Sequence, residues 1–543
     1  MSLLDLHDDI LFLIFSYLSG RNALHICLCA KRAYYIAIPQ VYAYIRKFPY
    51  TIADFAQWRN ALLSPEPISG KPRASFLHSV DFMNSVNRDD QPTVAAGLVQ
   101  LFAQAKHMHS LCINSGSRQE QKLLTLPQLW ETLGTLQSLR SLELSLVGPV
   151  TMEMLNSLPN ASRIESLSLD QQFAVRSKSR SYPPLTDVLS RFSRLHSLKL
   201  GLKEDRIPLL DPSVTSTTVR DHLLPSLRNL VIVEPFSSAM IDLIPLCPKL
   251  SYVSYMSASS KERPYREIVA GLPWPPLRDF KSVMRSEYRQ PPSLPPSLPG
   301  PIPRLIMDYP FSNVVPSEEE EEVSEFIRSI RPGAPKAFDF VRSVRPGALV
   351  LDVALSTHSD GTIRWADELR MDPPLRSLEM RFRAPGHHLT GLHAALRGLP
   401  LLFLGVHVVE EDQGRWAPEP PKGAVVTHLE VALALDPRDF FSALPTLRVL
   451  GIGDGILDPY DGGFGPPFAV VDPKDADDPR PRRTRWWWCT EGGREMSEIW
   501  REDAERARDI IERPGFDRER SLEVVETTDR NAKPGVGEKR TCS

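Results

Sequence analysis

Two patterns of apolar positions divide this 543-residue chain. In the first 48 residues they recur at helical spacing. Ile10, Ile14 and Leu18 lie four apart, and Asp8 and Asp9 precede them where the positive end of a helix favours carboxylates. Ser19-Gly20 ends that run. Asn22 then caps a second helix carrying Leu24, Cys27 and Leu28. A third segment, Lys31 to Lys47, holds Tyr34, Tyr35, Ile38, Tyr42 and Ile45, with Pro39 marking a break. Three helices this short make a thin core, so part of their apolar surface is predicted to need a partner.

From residue 77 onward a hexapeptide recurs in place of the helical pattern. It reads LHSVDF at 77–82, MHSLCI at 108–113, LRSLEL at 139–144, IESLSL at 164–169, LHSLKL at 195–200 and LRSLEM at 375–380. Close variants start at 227 and 447, and looser ones at 250, 277, 348, 401 and 426, thirteen in all. Pro225, Pro248, Pro276, Pro374, Pro400 and Pro445 each stand one or two residues ahead of a copy. A proline there stops a helix and biases its predecessor toward extended structure. Apart from one gap of 71 residues, successive starts lie 21 to 32 apart, near the period of leucine-rich repeats. The predicted fold class is therefore α/β: a short N-terminal helical module over residues 1–48, then an irregular leucine-rich-repeat solenoid over 49–455. Its parallel strands would line the concave face and its helices the convex one. Leu142, Leu167, Leu198, Leu230 and Leu378 are expected to stack in its core.

Two stretches interrupt the array. Residues 290–303 contain seven prolines in fourteen, and Glu318 to Glu322 follow, so an insertion is predicted at about 290–322. Phe326 to Ala334 is nearly duplicated at Phe340 to Ala348, which reads as a local tandem copy. Residues 456–543 are predicted to be mostly disordered, with a helix at 493–513 from the spacing of Met496, Ile499, Trp500, Ala507, Ile510 and Ile511.

Composition narrows the function. Lys and Arg number 64 against 67 Asp and Glu, a net charge of −3, which supplies no general field for nucleic acid or anionic lipid. Proline accounts for 50 residues, well above the usual share of about 5%. The six cysteines form no C-x-x-C pair, so neither a disulfide framework nor a structural zinc site is expected. The apolar run Ile10 to Leu18 is too short to span a bilayer, and Asp5, Asp8 and Asp9 precede it where a signal peptide carries Lys or Arg. A soluble chain of the cytoplasm or nucleus is expected.

Catalytic signals are sparse. Gly451-Ile452-Gly453-Asp454-Gly455 follows a predicted strand but precedes no helix pattern, and reads as a turn closing a repeat. His387, His388 and His393 read as exposed loop histidines, and Asp472, Asp475, Asp477 and Asp478 lack the glycine and terminal glutamate of a calcium loop. Arg480, Arg482, Arg483 and Arg485 beside Trp486, Trp487 and Trp488 read as a basic linker whose indoles cover the last repeat. No enzyme, cofactor or metal is predicted.

Residues 3–42 resemble an F-box, through Leu6, Asp8, Asp9, Ile10, Leu11, Ile14, Phe15, Leu18, Leu24, Leu28, Lys31, Arg32 and Tyr34, with Tyr42 near the usual tryptophan. The family commonly opens Leu-Pro; here His7 follows Leu6. The resemblance covers under a tenth of the chain. It implies docking onto the Skp-family adaptor of a cullin-based ubiquitin ligase, by way of Leu6, His7, Asp8, Ile10, Leu11, Ile14, Leu18, Leu24 and Leu28. An F-box followed by leucine-rich repeats is itself a family layout, and it implies a non-catalytic receptor for a protein target. Alternate strand positions then supply the target face. They include Asp170, Lys199, Tyr252, Met256, Lys281, Glu379, Arg381, His407 and Glu430, a mixed-charge surface suited to protein. The alternative is a leucine-rich-repeat scaffold whose N-terminal helices only cap the array.

Overall fold

The computed structural model describes residues 4, 6–18, 20–115, 122–170, 182–201, 208–210, 224–234, 239–257, 274–284, 303–308, 346–353, 369–370, 374–382, 389, 391–408, 432–454, 484–490, 495–513 and 516. They form two compact units, one of residues up to Leu277 and one from Arg278 onward. Both are mixed α/β, with mostly parallel strands.

The first unit opens with α1 (Asp8–Ser16), α2 (Gly20–Cys27) and α3 (Lys31–Ala43). Their core is only seven residues, Leu11, Phe15, Ala23, Cys27, Ile36, Ala37 and Ile38, three of them small. Pro39 does not break α3 but sits inside it. The helix ends at Ala43, and Tyr44–Lys47 is strand β1, not the last turn of a helix. Pairing explains the difference: β1 runs parallel to β2 (Ser79–Asn84), and Arg46 meets Asp81 across the pair at 2.9 Å.

β3 (Ser110–Ser115), β4 (Ser141–Ser145), β5 (Ser166–Asp170), β6 (Ser197–Gly201), β7 (Asn229–Glu234) and β8 (Tyr252–Ser257) follow, each parallel to its predecessor. One ladder row reads Val80, Leu111, Leu142, Leu167, Leu198, Leu230 and Val253, all fully buried. The residue at the hexapeptide's third place enters each strand. There its N–H and that of its predecessor donate to one carbonyl of the previous strand's entrance, as His109 and Ser110 do to His78. That shared acceptor fixes the register. Helices α4 (Ile52–Leu63), α5 (Gln91–Gln104), α6 (Pro127–Thr135), α7 (Pro149–Ser157) and α8 (Leu185–Ser190) make the return passes. Pro92, Pro127 and Pro149 stand at the first turns of α5, α6 and α7, where a missing N–H costs nothing.

In the second unit β9 (Asp279–Met284), β10 (Arg304–Asp308), β11 (Ala348–Val353), β12 (Ser377–Phe382), β13 (Phe403–Val408) and β14 (Val449–Asp454) are again parallel in chain order. Phe280, Leu305, Leu349, Leu378, Leu404 and Leu450 form the buried row. Two short helices, α9 (Leu392–Ala395) and α10 (Pro437–Ala443), lie in the connections.

Several expectations change here. β10 falls in the 71-residue gap, β13 pairs directly with β14, and the hexapeptide at 426–431 lies outside the described residues. Gly451 and Gly453 are strand residues, not a turn. His393 lies in α9 against the Phe440 ring, 5.9 Å between centroids; His387 and His388 lie outside the described residues. Residues 485–490 and 495–513 are folded. β15 (Arg485–Cys489) runs antiparallel to β14, and β16 (Met496–Ile499) antiparallel to β15. Only from Arg501 to Ile511 is the chain helical, as α11. Unpaired strand edges attract a further strand, and the three tryptophans have high strand propensity, so β15 closes the parallel run. Residues 456–483 and 517–543, the acidic run 318–322 and the duplicated segment at 326–345 lie outside the described residues. Among the described residues, no helix is long and apolar enough to cross a membrane.

Candidate interaction surfaces

The N-terminal helices carry most of the exposed apolar bulk. Of eleven large hydrophobic residues that are exposed among those described, nine lie between residues 10 and 50: Ile10, Phe12, Leu13, Tyr17, Leu24, Leu28, Tyr35, Tyr44 and Tyr50. Leu13 is 60% exposed, Leu28 77% and Tyr17 82%. On α1 the inward stripe is Leu11 and Phe15. Ile10, Leu13 and Tyr17, spaced three and four apart, form the outward one. Ile14 and Leu18 are half-buried at the boundary.

Thus of the positions that the F-box resemblance marks, Ile10, Leu24 and Leu28 face outward. Leu6, Ile14 and Leu18 pack partly on the internal core, and Leu11 is fully buried within it, so Leu11 acts through the helix it holds. Phe12, Leu13 and Tyr17 were missed, although 10, 13 and 17 are also helically spaced. His7 and Asp8 are exposed at the start of α1. The His7 side chain accepts from the Asp9 N–H at 3.4 Å, doing as cap what a proline would do by fixing φ. Arg32 braces this entrance. Its guanidinium meets Asp8 Oδ1 at 2.6 Å and donates to the carbonyls of Leu6, at 2.7 Å, and Leu4.

One more contact ties α3 to the turn after α4. The Tyr34 hydroxyl donates to Glu66 at 2.8 Å, beyond α4. Burial alone would raise the Glu66 carboxyl, but the Ser69 and Ile68 N–H groups and the Tyr34 hydroxyl outweigh it and hold the pKa at about 2.

The second candidate surface is the strand face opposite the leucine rows. In the first unit, Asp81, Cys112, Glu143, Ser168 and Lys199 occupy one ladder row. Asp81, Glu143 and Lys199 are half-buried, and Asp170 stands one pleat further along. Burial pushes Glu143 up to about 7; Lys199 opposes that, and Asp81 adds to it. Cys112, buried between the two carboxylates, is raised well above the ordinary thiol value. Tyr252 and Met256 lie at the two ends of β8.

In the second unit the equivalent face is covered. Glu379 is 8% exposed and sits among Arg304 at 3.3 Å, Arg381 at 3.4 Å, Arg508 of α11 at 3.5 Å, and His407. Burial would raise its pKa, but these cations hold it at about 2. Lys281 is fully buried, and Glu430 lies outside the described residues. The tryptophans explain the seal. Trp486 and Trp488 point to this face and, with Phe403 and Val449, receive Ala504, Ala507 and Ile511 of α11. Trp487 points the other way, with Arg485 over its ring at 5.1 Å. Gly451 has no side chain because the Trp486 ring lies against it; a Cβ there would strike the indole. Of the charged residues predicted to meet a target, Glu379, Arg381 and His407 are gathered into one network here, which Arg508 of α11 joins.

Among the described residues, no group of three or more His, Cys, Asp or Glu side chains is placed to hold a metal ion. The chain matches no known family model and no curated protein.

Proposed function

We propose that this chain is the substrate-recognition subunit of an SCF-type, cullin-based ubiquitin ligase. The N-terminal helices act as an F-box on a Skp-family adaptor. The parallel strands form the inner face of an irregular leucine-rich-repeat solenoid that holds a protein target. Chemistry belongs to other subunits, and this chain makes ubiquitin transfer effectively intramolecular by holding the target near it.

One observation carries the reading: the exposed apolar residues concentrate on a module of about forty residues. Ile10, Leu13, Tyr17, Leu24 and Leu28 are outward while Leu11 and Phe15 form the core. A surface of this kind, rimmed by His7, Asp8, Arg21 and Arg32, has the desolvatable centre and polar border of a protein interface. The test is binding of a purified Skp-family adaptor to the full chain. Leu13→Asp together with Tyr17→Ala should weaken it at least tenfold, leaving the melting temperature unchanged, because neither side chain packs inside. The pair Leu6→Ala and His7→Ala should cost about 1–3 kcal/mol if the helix entrance lies near the interface centre. No binding by the wild-type chain would refute the ligase reading.

A second reading draws on the direct run from α3 into β1 and the pairing of β1 with β2. A helical cap on a protein-interaction scaffold would be joined in just this way, and it is what remains if the adaptor does not bind.

A further inference from the structure

In the second unit the C-terminal helix occupies the strand face that elsewhere would meet a target. α11 lies on it through Ala504, Ala507 and Ile511, and its polar contacts are made by charged side chains near the end of the helix. Glu512 accepts from the Ser377 hydroxyl at 2.8 Å and faces Arg304 at 3.8 Å, while Asp509 faces Arg278 at 3.5 Å. The sheet contributes the bulk of the seat, two indoles and Phe403; the helix contributes two alanines and one isoleucine. An eleven-residue helix is marginal by itself, and this one buries few large side chains. By contrast, α5 buries Val94, Leu98, Leu101 and Phe102 in the first unit. α11 is thus attached as a ligand is attached, by a small apolar edge and complementary charge, on a surface shaped by aromatic rings.

We propose that this face is a helix-binding site, held in cis by α11, and that an acidic amphipathic helix of a target protein takes the same seat when α11 leaves. The chemistry of the occupant follows from the lining. Arg278 meets Asp509 at 3.5 Å and Arg304 meets Glu512 at 3.8 Å, so the seat already receives carboxylates from a helix and favours one that brings them. α11 supplies them as Asp509 and Glu512, one turn beyond small residues spaced three apart. The competing helix would carry the same arrangement. This inference rests on reading the chain as a target receptor, and adds to it that recognition in the second unit is gated.

The experiment uses the full chain and a fluorescent peptide copying residues 500–516. Hydrogen exchange should be at least about tenfold faster in 504–511 than in β13 and β14, because α11 opens locally while the strands open only with the whole unit. Ala507→Arg should unseat α11, and the peptide should then bind the variant at least about tenfold more tightly than wild type, since a covered site lowers apparent affinity by its open fraction. A peptide with Lys at both 509 and 512 should not bind. Glu512→Lys in the full chain, which keeps the apolar seat, serves in place of Ala507→Arg if that variant fails to fold. Exchange of α11 at the rate of the strands would overturn the proposal, as would a peptide that binds neither protein or both equally. Adaptor binding, measured on the same preparations, is untouched by these changes. Its absence would refute the ligase reading and leave the helix-binding result standing.

Discussion

The hexapeptides at 139–144 and 375–380 share their first five residues, Leu-Arg-Ser-Leu-Glu, and both become buried strands. Their glutamates stand at the same position of the strand, on the same side relative to the leucine row. Yet Glu143 is raised to about 7 and Glu379 is lowered to about 2. The difference lies in the neighbours. Glu143 has acidic Asp81 two strands away on one side and Lys199 two strands away on the other, with Cys112 and Ser168 between. Glu379 has Arg304 and Arg381 at 3.3 and 3.4 Å, and Arg508 delivered by a helix from over a hundred residues later. A repeated motif places a carboxylate on a face; which charge state that carboxylate prefers is decided by what the other strands and helices contribute.

The comparison breaks most severely at Glu379. Replacing it with Gln leaves Arg304, Arg381 and Arg508 together without their shared counter-charge, and breaking such a buried set costs about 3–5 kcal/mol. Urea unfolding at pH 7 measures the loss, and a loss below about 1 kcal/mol would show that water, not Glu379, balances these cations. The pH dependence has a definite sign. A carboxyl lowered from an ordinary 4.5 to about 2 contributes stability that is complete above about pH 4.5 and is lost as pH falls from there to about 2. Wild type should therefore lose more stability between pH 5 and pH 3 than Glu379→Gln does. Glu66, held at about 2 in the first unit, adds acid sensitivity in both proteins and cancels in the difference.

Next in size is the seat of the indoles. Gly451→Ala pushes a methyl into the Trp486 ring, and overpacking of this kind costs about 1–3 kcal/mol. The loss should appear as a lower unfolding midpoint and as a red shift of tryptophan emission. A substitution tolerated without either change would mean that β15 does not lie on β14 in solution.

Glu143 should respond in the opposite direction. A carboxyl raised to about 7 binds its proton more tightly in the folded chain. The stability this gives is fully present below about pH 4.5 and is lost as pH rises to about 7. Glu143→Gln supplies a permanently neutral side chain of the same shape. It should stabilise the protein by about 1–3 kcal/mol at pH 8 and change little at pH 4.5. Equal effects at both pH values would mean that the glutamate is ordinarily solvated.

Much of the architecture was legible along the chain, for identifiable reasons. All twelve hexapeptides that lie within the described residues became strands, seven of them with serine or asparagine at the third place, which marks the strand's entrance. β1 was hidden because Tyr42 and Ile45 continue the helical spacing of α3. β10 was hidden by the prolines crowded on its N-terminal side. At 348 the hexapeptide was read two residues late: Ala348 pairs with Ser377, so it stands at a strand entrance. For the sites, alternation correctly put Glu379, Arg381 and His407 on one face. Nothing local could reveal that Ala504, Ala507 and Ile511 come to lie over that face, because alanines on a charged helix carry no address. The outward stripe of α1 was half legible. Ile10 was in view, while Leu13 and Tyr17 were not, because two overlapping helical spacings compete in so apolar a segment.

The smallest effect sharpens the comparison most finely. Lys199 lies two strands from Glu143, with Ser168 between them, and favours the ionised carboxylate across that distance. In Glu379 the same influence comes from groups in direct contact, so no single cation decides the outcome. In Glu143 one does. Lys199→Met keeps the length of the side chain and removes its charge, so the carboxyl should rise further. Two charges about 10 Å apart at a half-buried site interact by roughly 0.5–1.5 kcal/mol, which moves the upper end of the pH window by about 0.5–1 pH unit. The readout is the pH dependence of unfolding free energy between pH 5 and pH 9, wild type against Lys199→Met, with Glu143→Gln as the background in which the difference should vanish. A shift that survives in that background would come from some other group. A window that does not move would mean that solvent screens the pair, leaving burial and Asp81 to account for the whole contrast with Glu379.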